Sequence, residues 1–179
     1  MSGKRILIMN RGEIAARIAK ACRELGHVAV GVWTDNEVQA KHLEVCDEWI
    51  HLQGSTNAET YLNIPKILKL CKDYKIDGVH PGYGFLSENT EFSKALVDNG
   101  ITWIGPHPEA VRVMGDKAVS KEFAKKCGVP VVPGSTGAVP TVEEALKIAA
   151  EIRYPILLKA VAGGGGRGMR VCHNEADVK

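Results

Sequence analysis

The sequence lacks a long apolar segment, a block of like charge and a close pair of cysteines. None of its apolar runs approaches the about 20 residues that a helix needs to cross a bilayer, so no membrane partner is expected. Its 23 lysines and arginines are scattered among 21 aspartates and glutamates, which leaves a formal net charge of only +2. A nucleic acid is therefore not an expected partner either.

The cysteines are too widely spaced for a disulfide framework or a paired metal-binding motif. They number five, which is odd, and no two are separated by only two residues. This pattern is typical of reduced thiols in a cytosol-like compartment, so we expect a cytoplasmic protein in which most thiols are core residues. The five are Cys22, Cys46, Cys71, Cys127 and Cys172.

Short apolar runs alternate with amphipathic stretches along the first two thirds of the chain. Strand-like runs lie at residues 5–9, 28–33, 47–52, 77–80 and 101–104. Strands that alternate with helices form parallel sheets covered on both faces. We therefore predict an α/β fold with a Rossmann-like, doubly wound parallel sheet over residues 1–115. Residues 116–179 are predicted to begin a second domain.

The turn after the first strand separates two classes of ligand site. A dinucleotide-binding Rossmann fold needs three glycines here, whereas this turn has only Gly12, so a nicotinamide or flavin dehydrogenase is disfavoured. Asn10 precedes Glu13 by three residues, as in a variant capping box that starts a helix. The same residues lie at the carboxyl end of a strand, where open α/β sheets bind ligands. The sequence is consistent with both roles for these residues, capping of the helix and binding of a ligand.

The segment 80–88 (HPGYGFLSE) holds more glycine and proline than a connection requires. Gly82 and Gly84 permit close approach of a ligand to the backbone, and Tyr83 offers a polar tip. Alternatively, the segment is a tight turn that packs Tyr83 and Phe85 into the core. The sequence favours neither interpretation.

Side chains that accept hydrogen bonds mark the starts of later helices. These positions are Asn63, Ser87 or Asn89, Asp116 and Thr141. Lys117 falls in the first turn of the helix that follows Asp116, which is unfavourable for a cation unless an anion lies nearby. A solvated lysine is the alternative.

Four consecutive glycines separate two strand-like runs near the end of the chain. Residues 155–161 place Lys159 inside an apolar run, which predicts a lysine buried in the strand; residues 169–172 form the second run. Two such runs predict a hairpin. The amides of a glycine tip, with Lys159 and Arg167, are suited to bind phosphate. The alternative is a flexible hairpin with solvated charges.

Seven segments together resemble the biotin carboxylase component of biotin-dependent carboxylases, which belongs to the ATP-grasp superfamily. They occur in the family's order and spacing over nearly the whole chain. The segments are 10–15 (NRGEIA), 61–63 (YLN), 80–89 (HPGYGFLSEN), 103–106 (WIGP), 114–117 (MGDK), 129–134 (VPVVPG) and 154–170, which ends in GGGGRGMR. The chain departs from the family at Met9, usually Ala, and at Arg153, usually Gly.

The resemblance implies an enzyme that carboxylates biotin on a carrier protein, with bicarbonate as the source of the carboxyl group and ATP as its activator. By matching position, it implies that the ATP-binding residues are Lys117, Lys159, Gly163, Gly164, Gly165, Gly166 and Met169. The glycines would form a loop that closes over the phosphates, and Met169 would lie near adenine. Tyr83 and Gly84 match positions near biotin. The expected cofactors are ATP and Mg²⁺, with biotin as the carried substrate.

Family members are longer than this chain. Their magnesium ligands, bicarbonate-binding arginine and general base are expected beyond Lys179, which predicts that these 179 residues are a fragment that is inactive alone. The expected partners are a biotin carboxyl carrier protein or domain, a carboxyltransferase and a second copy of the chain. The carboxyl acceptor (acetyl-CoA, propionyl-CoA or pyruvate) is not specified. The alternatives are another ATP-grasp ligase or a non-catalytic folding or dimerisation module.

Overall fold

The chain folds into two compact units, Met1–Gly115 and Asp116–Lys179. The computed structural model describes residues 3–135, 137–160 and 168–179, with the backbone alone at residues 117 and 118.

The first unit is built on a five-stranded sheet with strand order β3-β2-β1-β4-β5, and every neighbouring pair is parallel. The strands are β1 (Arg5–Ile8), β2 (Val28–Trp33), β3 (Glu48–His51), β4 (Gly78–His80) and β5 (Thr102–Trp103). The helices are α1 (Gly12–Glu24), a short 3-10 helix (Lys41–Val45), α2 (Ile64–Asp73), α3 (Thr90–Asp98) and α4 (Pro108–Gly115).

Alternate residues of the central strand β1 face two separate apolar layers. Ile6 and Ile8 pack with Ile18 of α1 on one face of the sheet. Leu7 packs in the other layer with Ile67 of α2 and Phe92 of α3. Because successive side chains of a strand point to opposite faces, the two layers cover both sides of the sheet. The predicted doubly wound parallel sheet is therefore confirmed.

The strand order changes direction at β1. From β1 the chain adds β2 and then β3 on one side, and it returns to place β4 on the other side of β1. In the register of this sheet Ile6 is the partner of Ala29 in β2 and of Gly78 in β4. Connections that leave in opposite directions open a crevice at the carboxyl ends of the two strands. In this sheet the crevice lies between β1 and β4.

Several predicted helix caps are present, but the first is not. Asn63 and Asn89 accept hydrogen bonds from the amides of Lys66 and Phe92, at 3.0 and 2.8 Å. Helix α1, by contrast, has Arg11 at its N-cap, with no side-chain capping bond to the described residues. The capping-box interpretation of Asn10 and Glu13 is therefore wrong. Asn10 instead bonds to the loop that follows β4.

The second unit contains α5 (Lys117–Lys126), α6 (Val142–Ile152), the antiparallel pair β6 (Ile156–Lys159) and β7 (Met169–Cys172), and α7 (Glu175–Val178). The predicted hairpin strands are thus confirmed. Asp116 accepts from the Val119 amide at 2.9 Å and Thr141 from the Glu144 amide at 3.2 Å, so both predicted caps are present. The buried residues of this unit's core are Ala149, Ile156, Cys172 and Val178.

The thiols are free, as predicted, and four of the five are buried; Cys127 is exposed. Burial raises the pKa of Cys71 to about 12 and that of Cys46 to about 11, so both thiols stay protonated. In the part of the chain that the structure describes, no helix has the length and apolarity needed to cross a membrane.

Arg153 has a backbone conformation that normally requires glycine. It follows α6 with a φ of +69° and a ψ of 148°. A side chain in this region costs about 1–3 kcal/mol of strain. The family that the sequence resembles usually has glycine at this position. Arginine at position 153 therefore has a conformational cost that glycine would not have.

We predict that Arg153→Gly stabilises the second unit by about 1 kcal/mol, because relief of strain exceeds the entropic cost of a glycine. Hydrogen–deuterium exchange of the β6 and β7 amides should slow about fivefold. Arg153→Ala is the control, since it removes the guanidinium but keeps Cβ and the strain. Equal protection in the two variants would contradict a role for backbone strain.

Candidate functional site

The candidate site lies in the crevice between the carboxyl ends of β1 and β4. Asn10 follows β1, and His80 is the last residue of β4. The loop from Pro81 to Asn89 then leads to α3. Adjacent parallel strands therefore bring together two segments that are distant in the chain, since Asn10 and Pro81 are 71 residues apart.

The side chain of Asn10 holds this loop. Its Nδ2 donates to the carbonyl oxygens of Pro81 and Tyr83, both at 2.7 Å, while its Oδ1 accepts from the Arg11 amide at 2.9 Å. Asn10 is only 4 % exposed. The amide satisfies buried backbone groups of two segments at once, which explains why it does not cap α1.

Gly82 completes the contact between the two segments. Its φ is +65°, and a Cβ at this position would lie 2.8 Å from Asn10 Nδ2 and 3.1 Å from Ile14 Cγ1. Both the backbone angle and the close approach require glycine here. Gly84 also has a positive φ, of +68°, but a Cβ added there would meet no heavy atom of the other described residues within 4 Å. The backbone at Gly84 therefore borders open space.

Tyr83 stands on the surface of this loop. Its side chain is 60 % exposed, and its hydroxyl donates to Oε1 of Glu13 in the first turn of α1. That hydrogen bond to a carboxylate raises the pKa of Tyr83. The interpretation that packs Tyr83 into the core is therefore wrong. For Phe85 the same interpretation is confirmed, since its ring stacks on buried Tyr61 with centroids 4.5 Å apart.

A cluster of charged and aromatic side chains contacts the loop that follows β4 through Phe85. The Arg11 guanidinium carbon lies 5.7 Å from the Tyr61 ring centroid and 5.5 Å from that of Phe85. Arg11 also pairs with Glu37 Oε1, and the Tyr61 hydroxyl donates to Glu37 Oε2 at 2.7 Å. The ion pair and the charge-assisted hydrogen bond thus meet at the Glu37 carboxylate, while the cation–π contacts join Arg11 to the two rings. No motif in the sequence marks Glu37 or Tyr61 as partners of Arg11.

Charge neutralisation outweighs burial at Glu37. Burial alone raises the pKa of this carboxyl group, but hydrogen bonds from Arg11, Tyr61 and Thr34 bring its pKa below the ordinary value. The same cluster raises the pKa of Tyr61, mainly through burial and then through its bond to Glu37. Glu37 is therefore ionised and Tyr61 protonated at neutral pH.

His80 is held as a neutral imidazole. Burial lowers its pKa, and its Nδ1 accepts a hydrogen bond from the Gly82 amide at 3.0 Å. An accepting nitrogen must be unprotonated. His80 therefore supports the turn at Gly82 without adding charge to the crevice.

A pocket of about 450 Å³ lies beside the first turn of α1. Opposite charges line it, and two of them, Arg11 and Glu37, are paired with each other. The lining residues are Arg11, Gly12, Glu13, Ala16, Glu37, Ala40, Lys41 and His42.

In the second unit the hairpin brings two predicted ATP-binding residues together. Lys159 and Met169 are direct cross-strand partners, and such side chains share a face of the ladder. Both are exposed, which corrects the prediction that Lys159 is buried. The neighbouring pair on this face, Leu157 and Val171, is also exposed, at 45 % and 55 %. The two strands are thus covered on one face only.

Other predicted ATP-binding groups lie outside the described residues. These are Gly163, Gly164, Gly165 and Gly166, together with Arg167 and the side chain of Lys117. Within the described ranges, no group of three or more His, Cys, Asp and Glu residues is arranged to hold a metal ion.

We predict that Glu37→Gln removes a pH-dependent contribution to the stability of the first unit. The pKa of Glu37 is lower in the folded state than its ordinary value of 4.5, so its contribution is complete above that value and is lost as pH falls through the folded pKa. Urea unfolding followed by tryptophan fluorescence should show a loss of about 1–2 kcal/mol at pH 7. The difference from wild type should shrink as pH falls below 4.5.

The control for this measurement is Glu109→Gln, which removes the same charge from a solvent-exposed pair with Arg112 in α4. Exposed pairs contribute little, so this variant should unfold like wild type. All three tryptophans lie in the first unit, so fluorescence reports that unit. Equal effects of the two substitutions would refute the role assigned to the cluster around Glu37.

Two family models match the chain. The model described as biotin carboxylase, N-terminal domain, covers residues 2–111. The model described as carbamoyl-phosphate synthase L chain, ATP binding domain, covers residues 116–179.

Curated relatives resemble nearly all of this chain but are much longer. The 2-oxoglutarate carboxylase small subunit of Hydrogenobacter thermophilus is 49 % identical over 98 % of this chain and 37 % of its own length. A biotin carboxylase of Nostoc sp. is 48 % identical over 96 % of this chain and 38 % of its own length. The chain thus spans less than two fifths of these relatives.

Solved structures agree with the fold of the chain. The biotin carboxylase domain dimer of the H. thermophilus 2-oxoglutarate carboxylase, in complex with MgADP, ADP and bicarbonate, matches with a TM-score of 0.89 and 48 % identity over 99 % of this chain and 39 % of its own. A biotin carboxylase–β-γ-ATP complex from Campylobacter jejuni matches with a TM-score of 0.89 and 46 % identity over 98 % of this chain and 39 % of its own. The N-terminal domain match over most of the chain identifies it as a member of the biotin carboxylase family.

Proposed function

We propose that this chain is the N-terminal part of a carboxylase that uses ATP and bicarbonate to carboxylate biotin on a carrier protein. The observation that carries the proposal is the exposed pairing of Lys159 with Met169 on a hairpin inside the region matched to an ATP-binding domain. We assign residues 1–115 to the N-terminal biotin carboxylase domain and residues 116–179 to the beginning of the ATP-grasp domain.

The hairpin face suits a nucleotide. Lys159 supplies a cation for phosphate, and Met169, directly opposite, supplies a polarizable apolar surface for adenine. We assign Lys117 as a second phosphate ligand and Gly163, Gly164, Gly165 and Gly166 as the source of amides that close on the phosphates. Phosphoryl transfer depends mainly on positioning and charge neutralisation, and these residues serve both. The Mg²⁺ ligands are assigned to the remainder of the carboxylase.

The crevice of the first unit suits biotin. Tyr83 is exposed, and the backbone at Gly84 borders open space, so the ureido ring of biotin can approach both residues. The loop is held from behind by Asn10 and by the stack of Phe85 on Tyr61. A rigid turn places a ligand more accurately than a mobile one. We therefore assign Tyr83 and Gly84 as biotin contacts.

We infer that the parent protein acts in the cytoplasm with a biotin carboxyl carrier protein or domain and a carboxyltransferase. A homodimer is a further part of the proposal. It would use the exposed face of α1, where Arg17, Lys20 and Glu24 are all exposed. We assign the choice of the carboxyl acceptor to the carboxyltransferase.

The second candidate function is that of another ATP-grasp ligase. It is favoured by one observation, the match of residues 116–179 to the ATP-binding domain of carbamoyl-phosphate synthase. The first unit distinguishes between the two candidate functions, because it matches a biotin carboxylase domain and so favours the first. ATP cleavage that depends on bicarbonate but not on biotin would favour this second function.

We predict that Lys159→Ala, in the complete carboxylase containing this chain, lowers kcat/KM for ATP by about 10–100-fold. The loss corresponds to one charge-assisted contact with phosphate. Lys147→Ala is the matched control, since Lys147 is an exposed lysine of α6 in the same unit. For both variants, kcat/KM for ATP is measured in an assay of biotin-dependent ATP cleavage. The same ATP dependence in both would rule out Lys159 as a phosphate ligand.

A further inference from the structure

We propose that Asn10 and Glu13 are positioning residues that hold Tyr83 at two ends and thereby shape the biotin site. Asn10 holds the backbone carbonyl of Tyr83, and Glu13 holds its hydroxyl. We call these two side chains the strand-end clamp. The inference rests on the proposed contact of biotin with Tyr83 and Gly84.

The first half of the clamp requires a primary amide. The Nδ2 group of Asn10 has two hydrogens, and it uses both, for Pro81 O and Tyr83 O at 2.7 Å each. Its Oδ1 accepts from the Arg11 amide. Aspartate has the same shape but no donor at either oxygen. It would place an oxygen against two carbonyl oxygens in a buried site.

The loop is shaped to accept this amide. Gly82 lies so close to Asn10 that a Cβ would be 2.8 Å from Nδ2. His80 Nδ1 accepts from the Gly82 amide, so the turn is fixed from β4 as well. The peptide between Tyr83 and Gly84 thus has its carbonyl bound to Asn10, while the next glycine faces open space.

The second half of the clamp acts on the exposed side chain. Tyr83 is 60 % exposed, and its hydroxyl bonds to the Glu13 carboxylate. A solvent-exposed tyrosine samples several rotamers unless its tip is held. Because Glu13 lies on the first turn of α1, the bond connects the tyrosine tip to the same segment that holds its carbonyl.

The first test measures both substrates in the complete carboxylase. Asn10→Asp should raise KM for free biotin at least about tenfold, with KM for ATP within about twofold of wild type. Asn36→Asp is the matched control, because Asn36 also donates from Nδ2 to a backbone carbonyl, Ser55 O at 2.8 Å, but at an exposed position. The control should match wild type in both constants. Equal changes in the two KM values for Asn10→Asp would overturn the proposal.

The second test uses Glu13, which is exposed in the first turn of α1. Glu13→Ala should raise KM for biotin about threefold to tenfold, whereas Glu13→Gln, which keeps an acceptor for the Tyr83 hydroxyl, should restore it. A merely structural effect on α1 would not distinguish alanine from glutamine in this way. Failure of glutamine to restore the biotin KM would overturn the role of Glu13.

A third measurement separates the clamp from the proposed function. In the 179-residue chain itself, hydrogen–deuterium exchange of the amides from Gly82 to Phe85 should accelerate about tenfold in Asn10→Asp and not in Asn36→Asp. If the wild-type carboxylase shows no biotin dependence, the proposed function fails while this exchange result still supports the clamp. Unchanged exchange in Asn10→Asp would refute the clamp itself.

Discussion

The hydrogen bonds of one buried amide connect the two halves of the first unit's crevice. Asn10 follows the central strand, and its Nδ2 reaches two carbonyl oxygens of the loop after β4. The bond to Pro81 O is buried and that to Tyr83 O is partly buried, so loss of either would destabilise the turn. Three further residues surround this contact, namely Gly82, the neutral His80 and the exposed Tyr83. The candidate biotin site depends on it, because these hydrogen bonds hold the backbone on either side of Gly82, whereas the apolar contacts of the loop begin at Phe85.

Aromatic and ionic contacts extend this support to the neighbouring strand. Arg11 lies near the stacked rings of Tyr61 and Phe85 and pairs with Glu37, which follows β2. Glu37 remains ionised although its side chain is only 13 % exposed, since donors on three residues surround it. Loops after β1, β2 and β4 thus share one cluster. Such sharing is typical of parallel sheets, whose carboxyl ends converge on one edge.

The hairpin of the second unit differs from the sheet of the first unit in how its faces are covered. Its described hairpin buries one face, through Ile156 and Cys172, and leaves the face with Lys159 and Met169 exposed. The sequence pattern suggested a buried lysine, because Lys159 follows three apolar residues. In a two-stranded ladder, however, alternate residues point to opposite sides, and here one of those sides is uncovered. The apolar run therefore describes a strand with two faces and not the burial of each residue in it.

Local signals in the sequence were sufficient for the fold class, the order of elements and most helix starts. Apolar periodicity and capping residues act within one or two turns of chain, so Asn63, Asp116 and Thr141 were recognisable from the sequence, whereas Ser87 and Asn89 were alternatives that the structure decided in favour of Asn89. The same local logic failed at Asn10, which the sequence presents as a cap and the structure as a link to a loop 71 residues away. No local signal linked Glu37 or Tyr61 to Arg11, because they lie 26 and 50 residues from it, and only the order of parallel strands brings the three together. Tertiary structure thus decided the partners of the polar groups that bond across distant segments, since hydrogen bonds and ion pairs depend on distance in space.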